Sequence, residues 1–193
     1  MDYPTRRFGG FTLVELMVTI LIVAVLAAIG VPSFRNVIQR NRVATATNDL
    51  LAGLSYARTT AINRGQMVSM CPSTDGTSCT SNGREFEPGW IVYTYPAGAA
   101  SANKAYVAAS ATLLRASGSH TGVSINAQQT PVITFGLQGQ LRPGTALQFL
   151  TCSRGDSSSL GESTATVPGV QMDVNGSGSI QTKALSAGAS CGS

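Results

Sequence analysis

The sequence predicts an α+β protein in which one long N-terminal α-helix packs on a C-terminal antiparallel β-sheet or sandwich domain. An apolar run with a single acid in it covers residues 11–31, and apolar residues continue beyond it at helical spacing. From residue 66 onwards, short β-prone runs alternate with turns rich in Gly, Pro and Ser. One long helix followed by many strands is the element order of an α+β fold.

The first half of the predicted helix is the apolar run 11–31, which indicates a transmembrane segment. Its 21 residues extend about 31 Å as a helix, enough to cross a hydrocarbon core of about 30 Å. Arg6 and Arg7 precede the run and favour a cytoplasmic N-terminus. Three further arginines follow the run, namely Arg35, Arg40 and Arg42. Local positive charges alone therefore leave the orientation open.

A single carboxylate, Glu15, interrupts the apolar run. An acidic side chain in mid-bilayer costs about 2.5–3.5 kcal/mol on insertion scales, so charges inside membranes usually mark function. The run lacks the A-x-A site of a secretory signal, and its clearest small-residue junction, Gly10–Phe11, lies in front of it. Two other interpretations stay open: a carboxyl that is simply neutral in the bilayer, and a twin-arginine signal at Arg6 and Arg7. Glu15 argues against the second.

The segment 10–15, Gly-Phe-Thr-Leu-Val-Glu, resembles the prepilin signature of type IV pilins and of type II secretion pseudopilins. The resemblance implies a leader peptide, residues 1–10, which a prepilin peptidase removes after Gly10. It also implies N-methylation of Phe11 and a role for Glu15 in subunit assembly. In that family the carboxylate pairs with the N-terminal amine of a neighbouring subunit. A cation at a helix start, where the dipole adds positive character, is a suitable partner for a carboxylate in low dielectric.

The helix is predicted to continue through an amphipathic half, residues 32–65. Pro32 is expected to kink it, because the proline ring removes an intrahelical hydrogen bond, and pilin helices often carry a proline near this place. Asn63-Arg64-Gly65 supplies a basic last turn and a glycine stop. Apolar residues at steps of three and four predict a stripe that packs on the sheet. The stripe consists of Phe34, Val37, Ile38, Ala44, Leu50, Leu51, Leu54, Ala57, Ala61 and Ile62.

The remaining residues, 66–193, are predicted to form one globular β-rich domain. A tight loop at 175–178, Asn-Gly-Ser-Gly, separates the last two predicted strands. Two longer stretches, 97–110 and 153–168, are predicted to be exposed loops. The eight predicted strands are 66–71, 89–95, 112–116, 123–127, 132–137, 146–152, 170–174 and 179–182.

Two segments narrow the resemblance to the GspH/FimT branch of minor pilins and pseudopilins. Residues 51–65, LAGLSYARTTAINRG, are similar to the helix end of that branch, and 89–93, GWIVY, resembles its Gly-Trp-x-Val-aromatic strand. The resemblance implies the type IV pilin fold. Trp90 is expected to pack in the core, and a surface for a partner is the less favoured alternative.

Four cysteines occur, at Cys71, Cys79, Cys152 and Cys191. An even number in an exported domain favours two disulfides, for which three connectivities exist. The spacing favours the local pairs Cys71–Cys79 and Cys152–Cys191. A metal site is the less favoured alternative, because the ligands are not clustered.

The residues that bear acid–base chemistry do not form a recognised catalytic motif. His120 is the only histidine and is expected in a solvent-exposed polar turn, and Glu85 and Glu87 are expected in a solvated loop. Neither a nucleophile nor a general base can be assigned. The sequence therefore predicts a protein that is not an enzyme, with no cofactor, no metal and no small-molecule substrate.

Charge bears on whether nucleic acid is a partner. Beyond Gly65 there are six basic and six acidic residues, so the net charge of +4 comes from residues 1–65 and mostly from arginines of the helix. DNA-binding members of the branch carry a Gly-Arg-x-Arg motif. The matching segment here, 178–181, has the glycine but neither arginine. A second partial match, 139–142, has the glycine and one arginine. Arg142, Arg154 and Lys183 are the remaining candidate DNA contacts. DNA is therefore the disfavoured partner.

The favoured role is a minor type IV pilin in a tip or initiation complex that primes pilus assembly. The alternatives are a type II secretion minor pseudopilin and a DNA-binding competence pilin. The implied partners are other minor pilins, the major pilin, prepilin peptidase, inner-membrane lipid and the assembly platform. The implied location is the inner membrane, crossed once with a periplasmic C-terminal domain, before assembly into an extracellular pilus or a periplasmic pseudopilus.

Overall fold

The computed structural model describes residues 10–81, 83–99, 103–155 and 160–192, without the side chains of residues 29 and 31–33. The predicted leader thus lies outside the described residues except for Gly10. The chain divides into two compact units, 1–37 and 38–193, and each is described by itself. Helix α1, Leu13–Arg64, contributes to both.

The N-terminal unit contains the start of α1. The hydroxyl oxygen of Thr12 accepts a hydrogen bond from the backbone N–H of Glu15 at 3.2 Å, which makes Thr12 the N-cap. Thr12 and Glu15 also have the spacing of a capping box. Over the described part of the chain, no helix combines the length and apolar character that a membrane crossing requires. The predicted span 11–31 stays a prediction, and the kink at Pro32 concerns a side chain outside the described residues.

In the C-terminal unit, the described residues form two antiparallel sheets. The first sheet has the order β3-β2-β1-β5-β6 and the second the order β4-β7-β8-β9. The strands are β1 Val68–Pro72, β2 Trp90–Thr94, β3 Thr112–Ser117, β4 Val123–Ala127, β5 Ile133–Phe135, β6 Leu141–Arg142, β7 Leu147–Ser153, β8 Val170–Val174 and β9 Ile180–Ala184.

Each of the eight predicted strands is present, with ends displaced by at most two residues. The sequence did not predict β6, because two residues carry no periodicity of their own. This strand exists by pairing with β5 after a turn at 136–139, in which the N–H of Gly139 donates to the carbonyl of Gly136 at 2.8 Å.

The core lies between the two sheets and the buried face of α1. Every residue of β1 and β2 is buried, because a second cluster covers the outer face of the first sheet. Tyr93 from β2 and Tyr95, which directly follows β2, belong to this cluster, and Tyr106 from the loop packs against it. Stretch 97–110 was predicted to be exposed, and most of its described residues are; Tyr106 is half-buried instead, because its ring shields one side of the sheet.

Half of the predicted stripe on α1 is exposed. The exposed members are Phe34, Val37, Ile38, Ala44 and Ile62, although all five were predicted to pack on the sheet. Val43 and Ala46 are buried in their place, because the regular 3.6-residue period continues from Leu50 through these two positions. The buried residues of α1 are Val43, Ala46, Thr47, Leu50, Gly53, Leu54, Ala57 and Ala61.

The ring of Trp90 packs closely against α1 at Gly53. A Cβ atom added to Gly53 would lie 2.6 Å from Cη2 of Trp90, closer than real Cβ contacts. Trp90 itself is fully buried. The glycine therefore lets the helix approach the sheet, and the predicted core role of Trp90 is confirmed.

Replacing Gly53 with leucine is expected to lower the free energy of unfolding by about 1–3 kcal/mol, because the added atoms overpack the contact. Ala52→Leu is the matched control, since Ala52 is exposed on the same turn. Chemical denaturation of the single variants and of Gly53→Leu/Trp90→Ala measures the coupling. Removal of the ring should recover part of the loss; strictly additive costs would show that Gly53 and Trp90 are independent.

Candidate functional site

The N-terminal candidate residues lie together at the start of α1. Gly10 and Phe11 precede the first helical residue by three and two positions, and the side chain of Phe11 is 81% exposed. An added Cβ at Gly10 would meet no heavy atom within 4 Å. Glu15 lies in the first helical turn, where the helix dipole favours an acid. The geometry leaves the Gly10–Phe11 peptide open to a protease.

The four cysteines are joined as Cys71–Cys79 and Cys152–Cys191. The first bridge begins in β1 of one sheet and the second in β7 of the other, so each sheet carries one cross-link. Inside the short loop, the side chain of Ser78 and neighbouring backbone N–H groups donate to Asp75 and hold the pKa of that carboxyl well below its usual value. The loop is therefore ordered by more than its disulfide.

The second bridge holds the C-terminal tail against the stretch after β7. The N–H of Cys191 donates to the carbonyl of Gly161 at 2.9 Å, and Glu162 forms isolated bridges with both Ser153 and Ser190. Stretch 153–168 was predicted to be an exposed loop. Its residue Val167 is instead buried in the core, because the tail covers this region.

The three candidate DNA contacts do not share one element. Arg142 lies in β6, Arg154 follows β7, and Lys183 lies in β9. Nη2 of Arg154 is 2.9 Å from a carboxylate oxygen of Glu87, and Nζ of Lys183 is 3.6 Å from a carboxylate oxygen of Asp173. Carboxylates thus balance two of the three cations, which disfavours a basic patch.

The two turns that partly match the DNA motif meet at one helix residue. A Cβ on Gly178 would lie 2.0 Å from the carbonyl oxygen of Gly139, so the turns are in close contact. Arg58 of α1 donates to the carbonyls of Gly139 at 3.0 Å and Ser177 at 3.3 Å. The guanidinium therefore binds main-chain carbonyls of the β5–β6 and β8–β9 turns.

Asp173 is the centre of a polar cluster on the second sheet. Partial burial acts to raise the pKa of its carboxyl, but hydrogen bonds from Gln171 and Gln148 and the charge of Lys183 outweigh it and lower the pKa. Cross-strand pairing sets Gln148 opposite Asp173. The cluster stabilises the sheet and leaves no free carboxylate there.

Glu87 corrects one sequence expectation. It was predicted in a solvated loop, yet only 7% of it is exposed. Its carboxylate pairs with Arg154 and accepts the N–H of Ile125 at 3.2 Å. Burial of a carboxylate is tolerated because both oxygens have donors. Glu85 remains exposed, so the two acids do not form a catalytic pair.

The position of His120 corrects a second sequence expectation. It was predicted to be solvent-exposed, but 19% of its side chain is exposed and Nε2 lies 3.1 Å from a carboxylate oxygen of Asp49. Ser117 also donates to Asp49, and Nη2 of Arg115 is 3.4 Å from it. Arg115 lies over the ring of Trp90 at 5.2 Å. The sequence did not predict this cluster, because Asp49 and His120 are 71 residues apart.

Ser117 and His120 both bond to Asp49 and not to each other, so the cluster lacks the serine–histidine hydrogen bond of a Ser-His-Asp triad. Within the described residues, no three His, Cys, Asp or Glu side chains lie close enough to hold a metal ion.

Two family profiles match the chain. The profile of the prokaryotic N-terminal methylation motif matches residues 5–31. The profile described as type II transport protein GspH matches residues 46–181. The two matches lie in order along the chain without overlap.

The fold is similar to crystal structures of the type IV minor pilin FimU of Pseudomonas aeruginosa. One form has 21% identity and a TM-score of 0.54, covering 77% of this chain and 96% of that one. A second crystal form has 21% identity and a TM-score of 0.52, covering 75% and 98%. The minor pseudopilin EpsH of the Vibrio cholerae type 2 secretion system has 9% identity and a TM-score of 0.47, covering 74% and 97%.

Proposed function

Because the chain belongs to the family of the type II transport protein GspH, we propose that it is a non-catalytic minor type IV pilin in a tip or initiation complex. The observation that carries the proposal is the order of its parts. The methylation motif ends at residue 31 and a GspH domain follows from residue 46. A subunit of this design inserts through its N-terminus and recognises neighbours with its folded domain.

Processing is the first step of the proposed role. Prepilin peptidase cleaves after Gly10, and Phe11 becomes the N-methylated first residue. The open environment of Gly10 supports access to that peptide. The span 11–31 then anchors the protein in the inner membrane with its β-rich domain in the periplasm, where disulfides such as Cys71–Cys79 persist.

Assembly is the second step. The new amine of Phe11 lies one helical turn from Glu15, and its charge adds to the positive end of the helix dipole. When subunits stagger along the filament axis, Glu15 of one subunit pairs with the amine of another. The β domain selects the neighbouring minor and major pilins.

The alternatives are a minor pseudopilin of type II secretion and a DNA-uptake pilin. Arg154 and Lys183 are paired with carboxylates, which argues against DNA uptake. The pseudopilus shares both the signature and the fold, so only phenotype separates it from the pilus.

Deletion of the gene, with complementation by the parent sequence, tests the proposal. Surface pili, protein secretion and natural transformation are scored separately in the same strains. We expect pili to be lost or sparse while secretion continues. Normal piliation with failed secretion would identify a pseudopilus, and loss of DNA uptake with abundant pili would overturn the assembly role.

A further inference from the structure

A cavity of about 370 Å³ lies beside the first turns of α1 in the C-terminal unit. Ile38, Asn41, Arg42 and Thr45 form one wall, at the spacing i, i+3, i+4 and i+7 that places them on one helix face. The loop 119–121, Ser-His-Thr, forms the other wall. The cavity is therefore built from two elements that are distant in sequence.

Six of the seven residues that line this cavity have polar side chains. The polar groups are one guanidinium, one carboxamide, one imidazole and three hydroxyls. Ile38 is the one apolar lining residue, and the lining contains no carboxylate. Arg42 has no hydrogen bond or ion pair with any residue that the structure describes. A Cβ at Gly122 would lie 2.6 Å from Nη1 of Arg42, so the guanidinium lies against the end of the loop.

Asp49 does not cancel the positive character of the cavity. Its carboxylate is paired with Arg115 at 3.4 Å and also accepts from Ser117. The same carboxylate is 3.1 Å from Nε2 of His120, and this contact holds the ring. The carboxylate of Asp49 thus holds His120 in place, and Arg115 balances the charge of that carboxylate.

We propose that this cavity, the Arg42 pocket, binds a phosphate-type oxyanion. A tetrahedral anion with several oxygens can accept bonds from the guanidinium and the hydroxyls at once, whereas one carboxylate uses fewer of them. The ligand is a phosphodiester headgroup of an inner-membrane lipid or a free phosphate. Binding of a lipid headgroup rests on the membrane anchorage in the proposed function, which would bring the pocket near the membrane, since Ile38 follows the predicted span by seven residues. Binding of free phosphate does not depend on that anchorage.

The test uses the full processed chain in maltoside micelles, which contain no phosphate. Inorganic phosphate, glycerophosphoglycerol and acetate are titrated separately, and binding is followed by the amide NMR signals of residues 119–122. We expect saturable binding that Arg42→Gln weakens at least tenfold. Arg64→Gln is the matched control, because Arg64 is an exposed arginine at the other end of the same helix segment, and it should change binding less than twofold.

Thr45→Val provides a second variant that keeps every charge and should also weaken binding. Tighter binding of glycerophosphoglycerol identifies the lipid source, and tighter binding of phosphate identifies the free anion. Absence of saturation, equal loss in Arg64→Gln, or acetate binding as tight as phosphate would overturn the proposal. The last result would point to a carboxylate of a neighbouring subunit. Binding is measured without pili, so this outcome is independent of the deletion phenotype.

Discussion

Replacing Glu15 with valine is expected to reduce incorporation of the protein into filaments by about tenfold or more, while cleavage after Gly10 continues. A hydrogen bond or ion pair to a charged group contributes about 1.5–3 kcal/mol, and 1.4 kcal/mol corresponds to a factor of ten. In the proposed role, the peptidase acts on the Gly10–Phe11 peptide, four residues before Glu15. The variant should thus be processed and membrane-bound, yet fail to register with its neighbours.

Mass spectrometry of the processed N-terminus and immunoblotting of the sheared filament fraction separate these two effects. Glu15→Gln tests charge against size, since it keeps the shape and removes the negative charge. Met17→Val is the matched control, because it changes packing in the same segment without changing charge. If Glu15→Val reaches filaments as efficiently as the parent protein, the pairing between subunits is refuted.

The elements that could be predicted from the sequence are those whose signal is local. Strands 123–127 and 170–174 were predicted with the observed ends, because alternating side chains and turn residues mark them directly. The end of α1 was marked by Gly65, which adopts a positive φ of 58°. β6 could not be predicted, because its two residues become a strand only by pairing with β5.

The residues of the candidate site were likewise predictable only where they are close together in the sequence. Gly10, Phe11 and Glu15 lie in one contiguous motif, so the sequence alone indicates them. The pairs Glu87–Arg154 and Asp49–His120 join residues separated by 67 and 71 positions, and only folding brings them together. This explains why both acidic and imidazole side chains were predicted to be solvated: a polar turn and a buried ion-pair partner look alike in sequence.

Loss of the Cys152–Cys191 disulfide is expected to produce the largest change in stability. The bridge closes a segment of 39 positions and Cys71–Cys79 one of 8. In the chain-entropy description these loops contribute about 4 and about 2.5 kcal/mol. We therefore expect Cys152→Ala/Cys191→Ala to lower the free energy of unfolding by about 4 kcal/mol, measured by chemical denaturation of the full chain in detergent.

Cys71→Ala/Cys79→Ala is the matched control, since it also removes one bridge and two sulfurs. It should lower the free energy of unfolding by about 1.5 kcal/mol less than Cys152→Ala/Cys191→Ala does.

The local effects of the two double variants should differ as well. The tail bridge holds Cys191 beside Gly161 and supports the pairing of Glu162 with Ser190. Without it, amide exchange should rise over residues 160–192 while β1 and β2 stay protected. Equal costs for the two double variants would mean that local packing, rather than loop length, determines what each disulfide contributes.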